Sequence, residues 1–297
     1  MTRLGALYVM VGTPAYNEGK YIGSVVLQAK QYADEVVVVD DGSSDLTSKI
    51  AQLAGVTVVR HEHNKGYGSS IQTIFAEARK RNADILVILD ADSQHNPEGI
   101  PSLIKAISEG SDVVIGSRKM HENVIPRYRR EGQKVLARLT GIASRRKLSD
   151  TESGFRAYSK KAIAALELKE KGMAVSSEIV TEAATKGLRI TEVPISVVYT
   201  KDGSTLNPLQ HGFEVLSRIL VMISERRPLF FFGLFGGIFL ALGLAAGAVV
   251  IWSFFFESGI LATGTALISM LFVTIGLLSV FTGVILDVLV KRLNNRL

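Results

Sequence analysis

The chain of 297 residues contains no cysteine. That excludes thiol nucleophiles, disulfide staples and Cys-ligated zinc, and it fits a reducing compartment. Tryptophan occurs once, at Trp252. Charge is missing from two long stretches, Leu229 to Phe256 and Ile260 to Leu286. Each exceeds the roughly 20 residues an α-helix needs to cross a bilayer. Only Glu257-Ser258-Gly259 separates them, so they read as a tight helical hairpin; a buried helix pair in a soluble core fits runs this long poorly. The connecting turn also lacks Lys and Arg, whereas Arg226 and Arg227 precede the first run and Lys291, Arg292 and Arg296 follow the second. The positive-inside rule therefore expects both ends and the N-terminal domain on the cytoplasmic side of a cell membrane. Asp287, near the inner end of the second span, can reach the interface. Leu4 to Gly12 is too short an apolar run for a signal peptide and reads as a first strand.

Acidic residues are outnumbered, giving a net charge of +6. An anionic partner follows, and beside a membrane hairpin lipid phosphate is a better candidate than nucleic acid. The first half alternates short apolar runs with helical patterns. Strands are expected at Tyr8–Gly12, Glu35–Val39, Val56–Val59, Ile85–Leu89 and Asp112–Gly116. Helices are expected over Lys20–Tyr32, Leu46–Leu53, Tyr67–Arg79 and Pro97–Ser108. Repeated βα units predict a mostly parallel, Rossmann-like α/β sheet. The expected organisation is a catalytic domain over 1–203, an amphipathic juxtamembrane helix over 204–228, and two transmembrane helices over 229–297. These helices span about 229–256 and 260–288 and are followed by a basic tail.

The chain is organised around Asp84-Ile85-Leu86-Val87-Ile88-Leu89-Asp90-Ala91-Asp92-Ser93-Gln94-His95. An unalternated apolar run ends in two carboxylates one residue apart, as at the carboxyl end of a strand buried on both faces, where open α/β sheets bind ligands. If the chain is still extended there, Asp90 and Asp92 point the same way. Hard oxygen ligands with Gln94 behind them suit Mg2+ or Mn2+ held against a phosphate-bearing substrate. The alternative is a pair of solvated turn aspartates with Asp92 or Ser93 capping the next helix. Asn64-Lys65-Gly66-Tyr67-Gly68-Ser69-Ser70 opens a helix, where glycines let backbone N–H groups approach an anion and Lys65 adds charge. An ordinary glycine-rich loop is the other reading. The third glycine of G-x-G-x-x-G and the G-K-[ST] of a P-loop are both absent, so neither a dinucleotide fold nor an NTPase is supported.

Five stretches together resemble the family 2 GT-A glycosyltransferases: Pro14-Ala15-Tyr16-Asn17-Glu18, Val39-Asp40-Asp41-Gly42-Ser43, Asn64-Lys65-Gly66, Asp90 to His95, and Ile115-Gly116-Ser117-Arg118. Within that family the chain is similar to dolichol-phosphate mannose synthase and the archaeal dolichyl/polyprenyl-phosphate sugar transferases of N-glycosylation. The resemblance covers roughly residues 7 to 200. It implies a GT-A fold and a nucleotide pocket lined by Pro14, Tyr16, Glu18, Asp40 and Lys65. Asp90, Asp92 and Gln94 would hold the metal, Mg2+ or Mn2+, and the donor diphosphate. Arg118 and Arg129 would bind the acceptor phosphate. The serine one turn beyond that second arginine is Gln133 here. Asp150-Thr151-Glu152-Ser153-Gly154-Phe155-Arg156 resembles the family's D-x-x-S-G-F element under the acceptor site, making Ser153 a further acceptor candidate.

The expected catalytic residues are thus Asp92, Arg118 and Arg129, and the implied reaction is inverting sugar transfer from a nucleotide-diphosphate sugar to dolichyl or polyprenyl phosphate. The stretches Thr151–Tyr158 and Ser204–Gly212 look more like the transferases using UDP-glucose or UDP-N-acetylglucosamine than the GDP-mannose enzymes. Around Arg127 to Lys147 a basic segment carries Val135, Leu136, Leu139, Ile142 and Ala143 at helical spacing, suited to a membrane surface or to packing on the sheet. Glu178, near the start of a helix over Ser176–Lys186, is either a general base or a favourable charge at that helix N-terminus. Ile190–Tyr199, with Pro194, reads as an edge strand. A glycosidase is excluded because its two carboxyls must flank a sugar from opposite sides. A processive synthase of the same family carries Gln-x-x-Arg-Trp, whereas Trp252 lies in a span. A non-catalytic membrane adaptor binding nucleotide sugar or anionic lipid would be favoured by loss of a metal ligand, and Asp90, Asp92 and Gln94 are all present. The sequence leaves a homo-oligomer open.

Overall fold

A computed structural model describes residues 7–117, 141, 150–151, 153–196, 216–217, 219–221, 223–225, 227–258 and 262–294. They divide into two compact units, 1–219 and 220–297. In the first, the strands are β1 (Val9–Ala15), β2 (Glu35–Asp40), β3 (Thr57–Arg60), β4 (Ile85–Ile88), β5 (Val113–Ser117), β6 (Arg156–Ser159) and β7 (Ile190–Pro194). The helices are α1 (Ile22–Ala29), α2 (Thr47–Leu53), α3 (Tyr67–Lys80), α4 (Ile100–Ser108), α5 (Lys160–Ala165) and α6 (Val175–Thr185).

The strands form one seven-stranded sheet in the order β3-β2-β1-β4-β6-β5-β7. Unalternated apolar runs become strands covered on both faces. Val9, Val11, Val36, Val38, Ile85 and Val87 enter one core with α1 and α4. Met10, Val37, Val39, Leu86 and Ile88 enter the other with α3, α5 and α6. The two-residue period of a strand thus sends neighbouring valines to opposite cores. All pairings are parallel except those of β6, which runs antiparallel between β4 and β5. Neither β6 nor α5 was expected from the sequence, because Arg156-Ala157-Tyr158-Ser159 is too short and mixed to stand out. The helix expected from Pro97 begins as a 3-10 turn, Pro97–Gly99, capped by the Asn96 side chain, before α4. Strand β7 lies at the sheet edge, with Pro194 in its final pair.

The second unit contains α7 (Pro228–Ser253), a π-helical turn (Phe254–Ser258) and α8 (Thr263–Asn294). Two apolar spans, Pro228–Phe256 and Thr263–Arg292, are long enough to cross a membrane and have mean hydropathies of 2.4 and 2.3. Most of their side chains are exposed, unlike those of a soluble core helix. The two helices pack antiparallel and close: a Cβ on Gly236 would lie 2.7 Å from the Gly276 carbonyl oxygen. Small residues permit such backbone approach, and the Ser269 and Ser279 hydroxyls donate to the carbonyls of Gly243 and Phe232 across it. Asp287 pairs with Lys291 one turn on, at 2.7 Å.

Candidate active site at the carboxyl edge of the sheet

Parallel register sets the site. Ala15 pairs with Asp40 and Gly12 with Ile88, so β1, β2 and β4 run to the same edge of the sheet, β4 stopping short of the other two. Their following loops are cross-linked: Asn17 N–H donates to Ser43 Oγ at 2.8 Å, Glu18 N–H to Thr47 Oγ1 at 2.8 Å, and Ser44 N–H to Asn17 Oδ1 at 2.9 Å. Asn17 and Ser93 both hold left-handed backbone, at φ 56° and 61°. For Ser93 that conformation is uncommon, and it turns the chain sharply between Asp92 and Gln94. Pro14 is buried in β1, and Tyr16 is exposed just beyond it.

Asp90, Asp92 and Gln94 are all half-buried. Asp90 Oδ1 accepts from the Tyr67 hydroxyl at 3.0 Å, and its Oδ2 lies 3.9 Å from His95 Nε2. The carboxylate presses on Gly154, where a Cβ would come within 2.0 Å of Oδ2. Burial and the negative charge of Asp90 push the Tyr67 phenol well above its ordinary value, so it stays a donor. Asp92 Oδ1 accepts from Gln94 N–H at 3.0 Å. Its carboxyl is pushed up by burial and by the charge of Asp90. Glu18 is raised further, to about 7, by burial and then by the charges of Asp92, Asp45 and Asp90.

Crowded, partly desolvated carboxylates of this kind repel one another, which is what a hard divalent cation relieves. No group of three or more His, Cys, Asp or Glu side chains among the described residues forms a closed metal cage. An oxygen set that is incomplete without further ligands fits Mg2+ or Mn2+ shared with a diphosphate.

The glycine-rich loop differs from the expected anion cradle, because the anion is part of the protein. Buried Asp41 accepts from the backbone N–H of Lys65 at 2.9 Å and of Gly66 at 2.8 Å. The glycines serve close packing: a Cβ on Gly66 would meet the Lys171 carbonyl oxygen at 2.6 Å, and one on Gly68 the Glu170 carbonyl oxygen at 2.2 Å. Lys65 itself is exposed and lines a cavity of about 560 Å3 with Lys169 and Lys171. Asp40 is fully buried; its carboxylate accepts from Ser43 N–H at 2.9 Å and from the Ser48 hydroxyl, with Arg60 Nε at 3.7 Å.

Ser153 is fully buried, and its hydroxyl finds no hydrogen-bond partner among the described residues. Beside it the buried Arg156 guanidinium donates to the carbonyls of Ser153, Ser176 and Thr151 at 2.8, 3.0 and 2.5 Å. Arg156 thereby ties the loop before β6 to the start of α6. Glu178 accepts from the backbone N–H of Lys169 at 2.9 Å and of Glu170 at 3.0 Å, so it fastens the loop that faces Gly66 and Gly68. Arg118, Arg129 and Gln133 lie outside the described residues, as does most of the basic segment around them. Sequence reasoning missed Tyr67, Gly154 and Asp41 as parts of the site. Each sits inside a motif already noticed, but its partner is distant in the chain.

The family profile described as Glycosyl transferase family 2 matches residues 10–166. A UDP-N-acetylglucosamine–dolichyl-phosphate N-acetylglucosaminyltransferase of Methanococcus voltae is 33% identical over 243 residues, covering 73% of this chain and 95% of that protein. A dolichyl-phosphate hexose transferase of Haloferax volcanii is 32% identical over 225 residues, covering 74% and 95%. Among solved structures, glucosyl-3-phosphoglycerate synthase from Mycobacterium tuberculosis, in complex with Mn2+, UDP and glucosyl-3-phosphoglycerate, shares the fold with a TM-score of 0.59 at 20% identity, over 73% of this chain and 80% of that one.

Proposed function

The chain belongs to glycosyl transferase family 2, and from that membership we propose that it transfers a sugar from a nucleotide-diphosphate sugar to dolichyl or polyprenyl phosphate. The crowded carboxylates Glu18, Asp90 and Asp92 at the carboxyl edge of the sheet carry this reading. Their mutual repulsion matches a site built for a divalent cation and a diphosphate. Asp90, Asp92 and Gln94 would hold Mg2+ or Mn2+, which neutralises the charge that develops on the departing diphosphate. Pro14, Tyr16, Glu18, Asp40 and Lys65 would line the nucleotide pocket.

The acceptor is a phosphate monoester, anionic at neutral pH, so it needs orientation more than a strong base. Arg118 and Arg129 would supply it by charge-assisted hydrogen bonds, and Gln133 and Ser153 would add further contacts to the acceptor. Engagement of Glu178 by two backbone amides is consistent with a mechanism that asks no base of it. Attack of the phosphate oxygen on the anomeric carbon forms that C–O bond, breaks the bond to the diphosphate and inverts configuration. UDP-N-acetylglucosamine and UDP-glucose are favoured as donors over GDP-mannose by the likeness of Thr151–Tyr158 and Ser204–Gly212 to the transferases that use them. The two apolar helices would hold the enzyme in the membrane of its lipid substrate, raising their effective concentration. Flanking Arg227, Lys291 and Arg292 favour a cytoplasmic catalytic domain.

The test is turnover of purified protein with dolichyl phosphate and Mn2+, offered each of the three donors separately, with Asp92→Ala as control. Transfer to lipid from one donor, lost in the variant, is expected. Lipid glycosylation that persists in Asp92→Ala, or nucleotide binding without transfer from any donor, would overturn the assignment.

A further inference from the structure

His61 follows β3, is 8% exposed, and has no place in the chemistry above. Its Nδ1 lies 2.6 Å from Asp41 Oδ1, and its Nε2 lies 2.9 Å from Thr73 Oγ1 on α3. The same Asp41 carboxylate receives the backbone N–H groups of Lys65 and Gly66. A carboxylate already taking two amide donors has no proton to give, so Nδ1 carries the proton and donates it. The Thr73 hydroxyl, which also donates to the Ser69 carbonyl oxygen at 3.0 Å, is the partner of Nε2. One buried chain of groups therefore joins β2, the end of β3 and the first turns of α3.

What this chain fixes matters for the site. It holds the Lys65–Gly66 backbone, and the next residue, Tyr67, donates to Asp90 Oδ1. The loop is pressed down elsewhere as well: Gly42, at φ 75°, would bring a Cβ within 2.6 Å of the His63 carbonyl carbon. Among the described residues, His61 is the only side chain bonded to Asp41; the other donors to that carboxylate are the loop amides themselves.

We propose that His61 is a positioning residue for donor binding, orienting Asp41 so that the Lys65–Gly66 loop and the Tyr67 hydroxyl are held in register with Asp90. This rests on the donor reading given above. His61 is buried against Asp41 and Thr73, so its loss weakens the donor through the loop. Outer-shell partners of this kind typically change affinity by about 10- to 100-fold when removed.

The experiment uses the full chain in detergent and two readouts. Hydrogen–deuterium exchange over 61–73 reads the clamp without any substrate. Titration with UDP and with GDP in the presence of Mn2+, and steady-state KM for donor and for dolichyl phosphate, read its consequence. In His61→Ala, faster exchange at Lys65 and Gly66 is expected, with donor KM and nucleotide Kd raised about tenfold and the KM for dolichyl phosphate unchanged. His61→Asn, whose amide N–H sits near the Nδ1 position, should recover most of the affinity. His61→Gln, whose amide sits nearer Nε2, should recover little. Unchanged exchange in His61→Ala, or faster exchange with unchanged donor KM, overturns the proposal; so does equal rescue by Asn and Gln. Wild-type protein that binds neither nucleotide refutes the donor reading instead, whatever the exchange shows.

Discussion

Replacing Gly154 by alanine adds one methyl group at the point where β6 is entered beneath Asp90. The added Cβ would lie 2.0 Å from Asp90 Oδ2, 2.6 Å from its Cγ and 2.7 Å from Oδ1. Gly154 does not hold left-handed backbone, so alanine meets no conformational penalty and the clash is the whole perturbation. Ordinary contact is restored only if the carboxylate retreats by roughly 1 Å or more. That movement pulls Oδ1 off the Tyr67 hydroxyl, now 3.0 Å away, and swings it relative to Asp92. A misplacement of about 1 Å at a positioned group costs on the order of 100-fold in rate, equivalent to about 2.7 kcal/mol of barrier. The overpacking itself costs about 1–3 kcal/mol of stability. Lipid-linked product formation with Mn2+ should therefore fall about 100-fold in Gly154→Ala, while thermal unfolding shows a cooperative transition only modestly lowered. Turnover within threefold of wild type would refute the reasoning, since Asp90 would then tolerate displacement.

Two further outcomes follow from the electrostatics. The Glu18 carboxyl is raised from 4.5 to about 7, so between those values the metal-free folded protein keeps a proton that the unfolded chain has released. Stability should then fall as pH rises through that window, and Glu18→Gln should flatten the dependence in thermal melts; an unchanged slope would sink the assignment. Glu178→Ala should lower stability by about 1–3 kcal/mol, because two loop amides lose their acceptor, while the pH dependence of kcat stays as in wild type. Loss of one limb of that profile would restore Glu178 as a base.

Much was legible from residue order alone. Val36 to Val39 and Ile85 to Leu89 are apolar without alternation, which dictates strands covered on both sides. Asp90-Ala91-Asp92 ends such a strand, so its place at the carboxyl edge needed no tertiary information. The uncharged runs after Leu229 are fixed by length against bilayer thickness. The glycine-rich loop shows the limit. Its composition is right for cradling an anion, and only the fold reveals that Asp41 already fills the cradle.

The remainder was decided by contacts between residues far apart in the chain. Hydrophobic period identifies a strand but carries no information on its direction or neighbours. Nothing local in Arg156 to Ser159 announces that they insert antiparallel between β4 and β5. Yet that insertion brings Gly154 against Asp90, 64 positions earlier in the numbering, and buries Arg156 among three carbonyls. The sequence determined the parallel strands, the two long apolar runs and the place of Asp90 and Asp92 at a strand end, because each is written in short-range pattern. The tertiary structure determined how those carboxylates are held, because van der Waals contact and desolvation exist only once distant segments meet.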